Sequence, residues 1–309
     1  MLACLLLAAC ATAGAPGQTI APARTPISPL TASSTPFCDR AKVLDARQQD
    51  RILRFAAIVR DELAASGQAV ALVSRSGTDL SRFGIRFSHA GIALRDGEIP
   101  WSVRQLYYAC DEGRPLLFDQ GIGGFLMNVD DPSSGFVSIV TMPPARADAL
   151  AAAARDPALA LRLLAATYSA NAYPFSERYQ NCNQWVMELI AAAWGDLSQG
   201  DALRRDAQHW LLGQSYQPTT IDVDSHFTMM LGRFVPLLHF DDHPEDDRLA
   251  LRVRLSLPAS IEGFVRQQAP GAQRVELCHD DRQVVVRRGW SPIADGCVPA
   301  PGDRVVPLD

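Results

Sequence analysis

The sequence predicts an α+β fold in which antiparallel strands pack against helices. Three features predict this class: an amphipathic segment early in the folded part, a series of short strand-like runs separated by turn residues, and an alanine-rich helical region followed by further strands. With 48% hydrophobic and 20% charged residues among 309, the chain has enough apolar material to form a sizeable core.

The first 36 residues have the composition of an export signal and a tether. Residues 1–15 form an apolar run that is too short to span a bilayer and fits a signal peptide or a lipoprotein signal. Cys10 follows small residues and is the candidate lipidation site and membrane tether, while cleavage near residues 11–15 is the alternative. Residues 16–36 are rich in Pro, Ser and Thr and predict a linker. We therefore expect localisation in the periplasm or the cell envelope.

The main folded domain is expected over residues 37–240. It begins with a helical stripe over 45–66 that ends at Gly67, and strand-like runs follow, joined by turn signals such as Asp96-Gly97. The strands are predicted at 70–74, 85–94, 101–109, 116–119 and 136–142. A helical region is predicted at 145–168, with an interruption at 156–157. A second helix is predicted from Cys182 to Gly195, and a short third one after Gly200.

The C-terminal region begins with an acidic segment, 241–247, which predicts a solvated loop. Strands are predicted at 249–256, 273–278 and 283–288. We interpret residues 248–309 as a β-rich extension of the main domain or as a small module. His239 and His243 flank Asp241 and Asp242, but the composition of the segment favours a solvated loop over a metal site, so we predict neither a metal nor a cofactor.

The charge balance argues against a general nucleic-acid or anionic-membrane binder. Lys and Arg together number 29 and Asp and Glu number 34, which gives a net charge of −5. Both kinds of partner require a strong surplus of basic residues.

Five of the seven cysteines lie after the predicted signal, which contains Cys4 and Cys10. In an oxidising compartment these five are expected to pair where geometry allows, and an odd number leaves one thiol free. The candidate pairs are Cys278 with Cys297, which are close in sequence in a strand-and-turn region, and Cys38 with Cys110. The remaining thiol is Cys182.

Cys182 lies at the predicted start of a helix. Asn181 is a good N-cap residue, and Gln184 is placed to bond back to the cap. The unpaired amide groups and the dipole of a helix N-terminus favour an anion, so we expect a lowered pKa and a nucleophilic thiolate at Cys182. A structural cysteine packed at a helix end is the alternative.

A nucleophilic cysteine usually works with a histidine base. His89 begins an apolar strand in the sequence Ser88-His89-Ala90-Gly91, where small neighbours leave room for a thiol or a substrate. We therefore expect His89 to act as the general base. The alternative is a core histidine bonded to a backbone carbonyl.

The His89 strand precedes the Cys182 helix in the chain. In this order the two motifs resemble the circularly permuted papain-like (NlpC-type) thiol hydrolases. The matching motifs are His-Ala-Gly-Ile at 89–92 and Asn-Cys-Asn-x-Trp-Val-x-Glu-Leu at 181–189. The resemblance implies a papain-like antiparallel sheet packed on the cysteine-bearing helix, and acyl transfer through a thioester on Cys182.

A longer stretch, residues 37–297, resembles a bacterial family known as domain of unknown function 2145, which implies no established activity. The matching segments are 37–40, 72–77, 86–91, 100–107, 168–173 and 180–185.

Papain-like sites usually include a polar residue that orients the histidine from the neighbouring strand. If the turn between the two strands centres near 97–98, residues 105–107 lie opposite His89. Gln105 is preferred because its amide can accept a hydrogen bond from the imidazole, and Tyr107 and Asp119 are the alternatives.

Further residues complete the predicted site. The backbone N–H of Cys182, together with Gln180 or Tyr179, is the candidate oxyanion hole. Tyr107, Trp185 and Arg86 are the candidate substrate-binding residues. Arg75, Arg82 and Arg86 lie near His89 in sequence and could bind a substrate carboxylate, although surface ion pairs are the commoner role of arginine.

Three functions fit these features. The first is a thiol hydrolase, an amidase or peptidase acting on cell-envelope peptides. The second is a thiol acyltransferase or lipid-modifying enzyme, which a wide apolar groove beside Cys182 would favour. The third is a non-catalytic envelope binding protein, which a disulfide through Cys182 or a His89 side chain directed away from it would favour.

Overall fold

A computed structural model describes residues 43–98, 100–127, 129 and 131–308 of the chain. The predicted signal and linker, Cys10 and Cys38 lie outside the described residues.

In the part of the chain that the structure describes, ten strands form two antiparallel sheets. The strands are β1 (Val70–Arg75), β2 (His89–Leu94), β3 (Ser102–Ala109), β4 (Arg114–Gly121), β5 (Gly135–Thr141), β6 (Thr219–Asp222), β7 (Arg252–Leu255), β8 (Gln273–His279), β9 (Gln283–Arg288) and β10 (Arg304–Pro307). The large sheet has eight strands in the order β10-β9-β8-β5-β1-β2-β3-β4, and β6 pairs with β7 in the small one. The predicted α+β class is therefore confirmed in its coarse form.

The helices are α1 (Ala46–Ala65), α2 (Ile122–Met127), α3 (Pro144–Arg155), α4 (Pro157–Arg162), α5 (Cys182–Trp194), α6 (Leu203–Gly213), α7 (His226–Gly232), α8 (Glu245–Leu249) and α9 (Pro258–Gln268). The predicted interruption at 156–157 divides α3 from α4, because the Asp156 side chain caps α4 and proline occupies its first position.

The large sheet has helices on both faces. One core cluster joins α1 and α2 to Ala71, Val73, Ala93 and Val103, whereas the other joins α3 and α5 to Leu72, Ala90, Ile92 and Leu106. The two sets alternate along the strands because successive side chains of a strand point to opposite faces. The sheet is therefore buried on both sides, and α5 lies almost wholly inside the protein.

The C-terminal strands continue the large sheet. β8 pairs with β5, β9 with β8 and β10 with β9, so these strands extend the sheet that contains the His89 strand. β7, by contrast, belongs to the small sheet with β6.

Several sequence-based predictions differ from the structure. The helical region predicted over 145–168 ends at Arg162, and the predicted β-rich extension also contains the helix α9. The strand predicted over 85–94 begins only at His89; a 3-10 turn, Ser81–Phe83, lies before this segment and ends at Gly84 in a left-handed conformation, with φ of 68°. The predicted solvated loop at 241–247 is wrong in part. His243 and Asp247 are buried, since His243 bonds to the Asn171 carbonyl and Asp247 pairs with arginines of β7.

The predicted disulfide between Cys278 and Cys297 is confirmed, with their Cα atoms 5.4 Å apart. Cys110 is also disulfide-bonded, and its candidate partner, Cys38, lies outside the described residues. Among the described cysteines, Cys182 is free, as expected. None of the helices within the described residues is long and apolar enough to cross a membrane.

Candidate functional site

Cys182 is the first residue of α5, and the helix start is attached to the start of β2. The Asn181 side chain caps the helix by accepting a hydrogen bond from the Gln184 amide at 2.7 Å. Asn183 Nδ2 donates to the carbonyl of Ser88 at 3.0 Å. The thiol-bearing turn is therefore anchored to the residue that precedes His89. Gln184 does not bond back to the cap, because its amide donates to Glu188 instead.

The surroundings of the Cys182 thiol favour its protonated form. Burial raises its pKa to about 11. The backbone N–H groups of Asn183 and Cys182, the positive charge of Arg75 and a hydrogen bond with the Tyr168 hydroxyl all favour the thiolate, but together they do not offset burial. The expectation of a lowered pKa from the helix N-terminus is therefore wrong for this closed site.

His89 is oriented by a chain of two glutamines. Its Nε2 lies 2.8 Å from Gln105 Oε1, and Gln105 Nε2 donates to Gln120 Oε1 at 2.8 Å. Because an amide oxygen can only accept, Nε2 carries the proton and Nδ1 has the free lone pair. The predicted contact between Gln105 and His89 is thus present.

The His89 imidazole is neutral. Burial lowers its pKa to about 3, with a further lowering by the charge of Arg75, and the hydrogen bond to Gln105 opposes this shift. Its ring stacks on Tyr107 with centroids 4.6 Å apart. Continuing the β2–β3 register places Tyr107 opposite His89, so Gln105 reaches the imidazole diagonally across Gly91. A Cβ at position 91 would lie 3.3 Å from the Gln105 Cβ, so glycine leaves the space for this contact.

Cys182 and His89 lie on different sides of the sheet near the start of β2. His89 shares a face with Tyr107 and contacts Phe125 of α2 at 6.0 Å between rings, whereas Cys182 belongs to the core cluster on the α5 side. No hydrogen bond joins the thiol to the imidazole among the described residues. Both groups nonetheless interact electrostatically with Arg75, so they border one common charge.

Neither side chain predicted for the oxyanion hole is free to serve it. Gln180 donates to the Leu163 carbonyl and to Glu188, and its oxygen accepts from the Ala165 amide. The hydroxyl of Tyr179 bonds to Asp241 at 3.4 Å, and its ring stacks on His239 at 4.5 Å. Both residues hold the loop before α5 in place, so these two assignments are corrected.

Two of the candidate substrate-binding residues have structural roles. Trp185 is fully buried, and its indole N–H donates to the Ala160 carbonyl, which makes it a core residue. Arg86 pairs with Glu276 and Asp295 at 2.7 Å each, so it ties the loop before β2 to the C-terminal region. Tyr107 does lie at the site, where its hydroxyl accepts a hydrogen bond from Arg75. Asp119, an alternative partner for His89, pairs instead with Arg104.

Sequence reasoning missed the Tyr168 contact to the thiol and a buried carboxylate beneath the site. Glu188 accepts hydrogen bonds from Gln180, Gln184, Gln208 and Arg204, and it has no exposed side-chain surface. The position of Glu188 on the buried helix α5 was the one available signal, since a carboxylate is almost never fully buried unless it is paired.

The fold and the site define a protein with a large antiparallel sheet and helices, in which a buried free thiol at a helix start and a histidine oriented by an amide chain lie near the same end of β2. The chain belongs to a family of uncharacterised proteins conserved in bacteria, domain of unknown function 2145, whose family model matches residues 62–265. Searches of curated proteins and of solved structures gave no match.

Proposed function

We propose that the protein is a thiol hydrolase, an amidase or peptidase, in which Cys182 is the nucleophile and His89 the general base. One observation carries the proposal: the free thiol lies on a helix turn anchored to Ser88, and the adjacent His89 has its Nε2 held by Gln105. This arrangement leaves Nδ1 of His89 as the nitrogen that can accept a proton, and a nucleophilic cysteine requires such a base.

The reaction proceeds by acyl transfer. His89 Nδ1 takes the proton of the Cys182 thiol, the sulfur attacks the carbonyl carbon of an amide, and the amine leaves with that proton. Water then attacks the thioester, and its proton passes through His89 to the departing sulfur. Backbone N–H groups at the start of α5 already point toward the sulfur and supply positive charge for the oxyanion.

Catalysis requires the thiol and the imidazole to approach each other. Catalytic hydrogen bonds are often long or misaligned without substrate and tighten when it binds. A rearrangement near the start of β2 that brings the Cys182 thiol and the His89 imidazole into contact is therefore part of the proposal.

The permuted papain-like arrangement is part of the same proposal. Its support is the chain order, with the His89 strand before the Cys182 helix, and the packing of α5 on the antiparallel sheet. We further propose an exported protein of the periplasm or envelope that acts on envelope peptides, for which the Cys278–Cys297 disulfide is compatible support.

A cleft of about 560 Å³ follows β1, and its wall contains polar residues such as Ser76 and Asp131 as well as apolar ones such as Leu80 and Phe136. This mixed lining is compatible with a peptide substrate. A non-catalytic binding role is the second candidate, and the placement of His89 on the face opposite α5 favours it.

The test compares hydrolysis of envelope peptide fragments, followed by mass spectrometry, in the wild type and two variants. Cys182→Ser and His89→Gln should each abolish turnover and labelling by a peptide-based thiol electrophile. His209→Gln alters an exposed histidine on α6 and should leave both unchanged. Turnover by Cys182→Ser, or a wild type that neither hydrolyses these peptides nor reacts with the electrophile, would refute the proposal and favour the binding role.

A further inference from the structure

Arg75 is a buried arginine without an acidic partner. It lies at the end of β1 with 3% of its surface exposed, and no carboxylate of the described residues is within ion-pair distance. The other deeply buried arginine near this sheet, Arg274, is 6% exposed and pairs with Glu262 and Glu276 at 2.9 and 2.8 Å. Because buried charges are nearly always paired, the isolation of Arg75 indicates a missing anion.

The guanidinium of Arg75 is held in place but not fully bonded. Nη1 donates to the Ser76 carbonyl at 3.0 Å, and Nη2 donates to the Tyr107 hydroxyl at 2.6 Å. Its carbon lies 5.3 Å from the centre of the Phe125 ring. Nε is buried and has no hydrogen-bond partner within the described ranges, so the guanidinium retains N–H groups that can still donate.

A second unbonded donor lies beside this guanidinium. The Ser88 hydroxyl is buried and without a partner in the described structure. A Cβ on Gly77 would lie 2.7 Å from Arg75 Nη1 and 2.9 Å from Ser88 Oγ, so both donors converge next to this glycine. Gly77 forms part of the wall of the 560 Å³ cleft, so the two donors lie next to a residue of that wall.

The same cluster adjoins the proposed reaction centre. Arg75 is paired with His89 across β1 and β2, and Tyr107 contacts both the guanidinium and the imidazole ring. Asn183, on the Cys182 turn, has a buried amide oxygen without a partner among the described residues. This oxygen can accept an N–H group, such as that of a peptide bond.

We propose that Arg75, assisted by the Ser88 hydroxyl, binds a carboxylate of the substrate, which is then a peptide with a free carboxylate near the amide that is cleaved. This inference rests on the proposed function, because it assigns the anion to the substrate of Cys182. One guanidinium supplies one positive charge in a planar fork, which matches a carboxylate better than a phosphate dianion.

Binding can be measured without catalysis in the Cys182→Ala protein, with N-acetylglycine as the probe and neutral N-acetylglycinamide as its matched control. We expect NMR titration to show saturable binding of N-acetylglycine alone. Arg75→Gln should weaken it by about tenfold or more, the effect of losing a charge-assisted hydrogen bond, and Arg75→Lys should restore part of it. Equal binding of both probes, no binding of N-acetylglycine, unchanged binding in Arg75→Gln, or tighter binding of sulfate would overturn the inference.

Thermal unfolding in anion-poor buffer separates this role from a structural one. Arg75→Met removes an unpaired buried charge and should leave the melting temperature unchanged or raise it. Arg274→Met leaves the buried Glu262 without its cation and leaves Glu276 with Arg86 alone, so it should lower the melting temperature. If Arg75→Met lowers the melting temperature as much as Arg274→Met, or fails to fold, Arg75 is structural and the inference is wrong. Because neither assay uses the thiol, failure of the proposed hydrolysis leaves both results interpretable.

Discussion

Gln105 accepts a hydrogen bond from Nε2 of His89 at 2.8 Å, and its own amide donates to Gln120 at the same distance. The second bond fixes which end of the Gln105 amide faces the imidazole, because only the oxygen remains for His89. The pair therefore selects one tautomer of His89 and leaves Nδ1 as the basic nitrogen.

Substitutions at Gln105 should shift the pKa of His89 in opposite directions. Gln105→Glu places a negative charge beside the imidazole and should raise its pKa, whereas Gln105→Leu removes the acceptor and should lower it further. NMR titration of the His89 ring measures both shifts. Under the proposed function, Gln105→Leu should also reduce turnover by about tenfold or more. Gln120→Leu, one bond further away, is the control and should have a smaller effect; identical His89 titrations in all variants would contradict this role.

Without substrate, Cys182 should react slowly with a small alkylating agent such as iodoacetamide. Its pKa is raised from 9.0 to about 11, so the thiolate is scarce at neutral pH, and alkylation of the folded protein should accelerate until the pH approaches about 11. In the urea-unfolded protein the same cysteine should titrate near 9.0. Alkylation quenched at fixed times and quantified by mass spectrometry measures the rate against pH for the folded and the unfolded protein. Fast labelling of the folded protein at neutral pH would show that the thiol is already activated.

Glu188 should be essential for stability. Glu188→Ala leaves the Arg204 guanidinium and the glutamine amides around it without their acceptor, at a cost of about 3–5 kcal/mol in the free energy of unfolding. Glu177→Ala, which removes an exposed ion pair with Arg205, should cost about 1 kcal/mol or less. Urea denaturation compares the two. A Glu188→Ala cost as small as that of Glu177→Ala would show that the buried network contributes little.

Acid should destabilise the protein partly through two buried histidines. The pKa of His89 is lowered from 6.5 to about 3 and that of His279 to about 4, in both cases chiefly by burial. Below 6.5 the unfolded chain therefore binds protons that the native state does not, so the free energy of unfolding falls as the pH drops toward about 4. Denaturation at several pH values should give a shallower dependence for His89→Gln and for His279→Gln. A slope unchanged in both variants would exclude these histidines as its source.

Local patterns in the sequence predicted much of the fold. The apolar stripe over 45–66 placed α1, and the structure adds a capping box between Asp45 and Gln48 at its start. Asn181 likewise caps α5 at the predicted residue. Short elements such as α2 and β10 were missed, because a single turn of helix or a four-residue edge strand has too few residues to show a period.

The site could be predicted only in part. Alternation and an approximate strand register brought Gln105 to His89, although the register is one residue away from the predicted one. Trp185 and Gln180 could not be assigned from their neighbours in sequence. The Trp185 indole N–H donates to the Ala160 carbonyl, and the Gln180 amide donates to Glu188. These contacts occupy the polar atoms that a substrate or an oxyanion would need.

The chain alone revealed the chemical groups of the site and where its main elements begin: a thiol at the start of one helix, an imidazole at the start of one strand, and an odd number of cysteines after the predicted signal. The environment of these groups depends on tertiary packing. Burial raises the pKa of Cys182, although the helix start alone would lower it. The packing of β1 against β2 leaves Arg75 beside His89 without a counter-charge in the described structure. Desolvation and long-range pairing depend on how distant segments pack, and no local pattern in the chain encodes them.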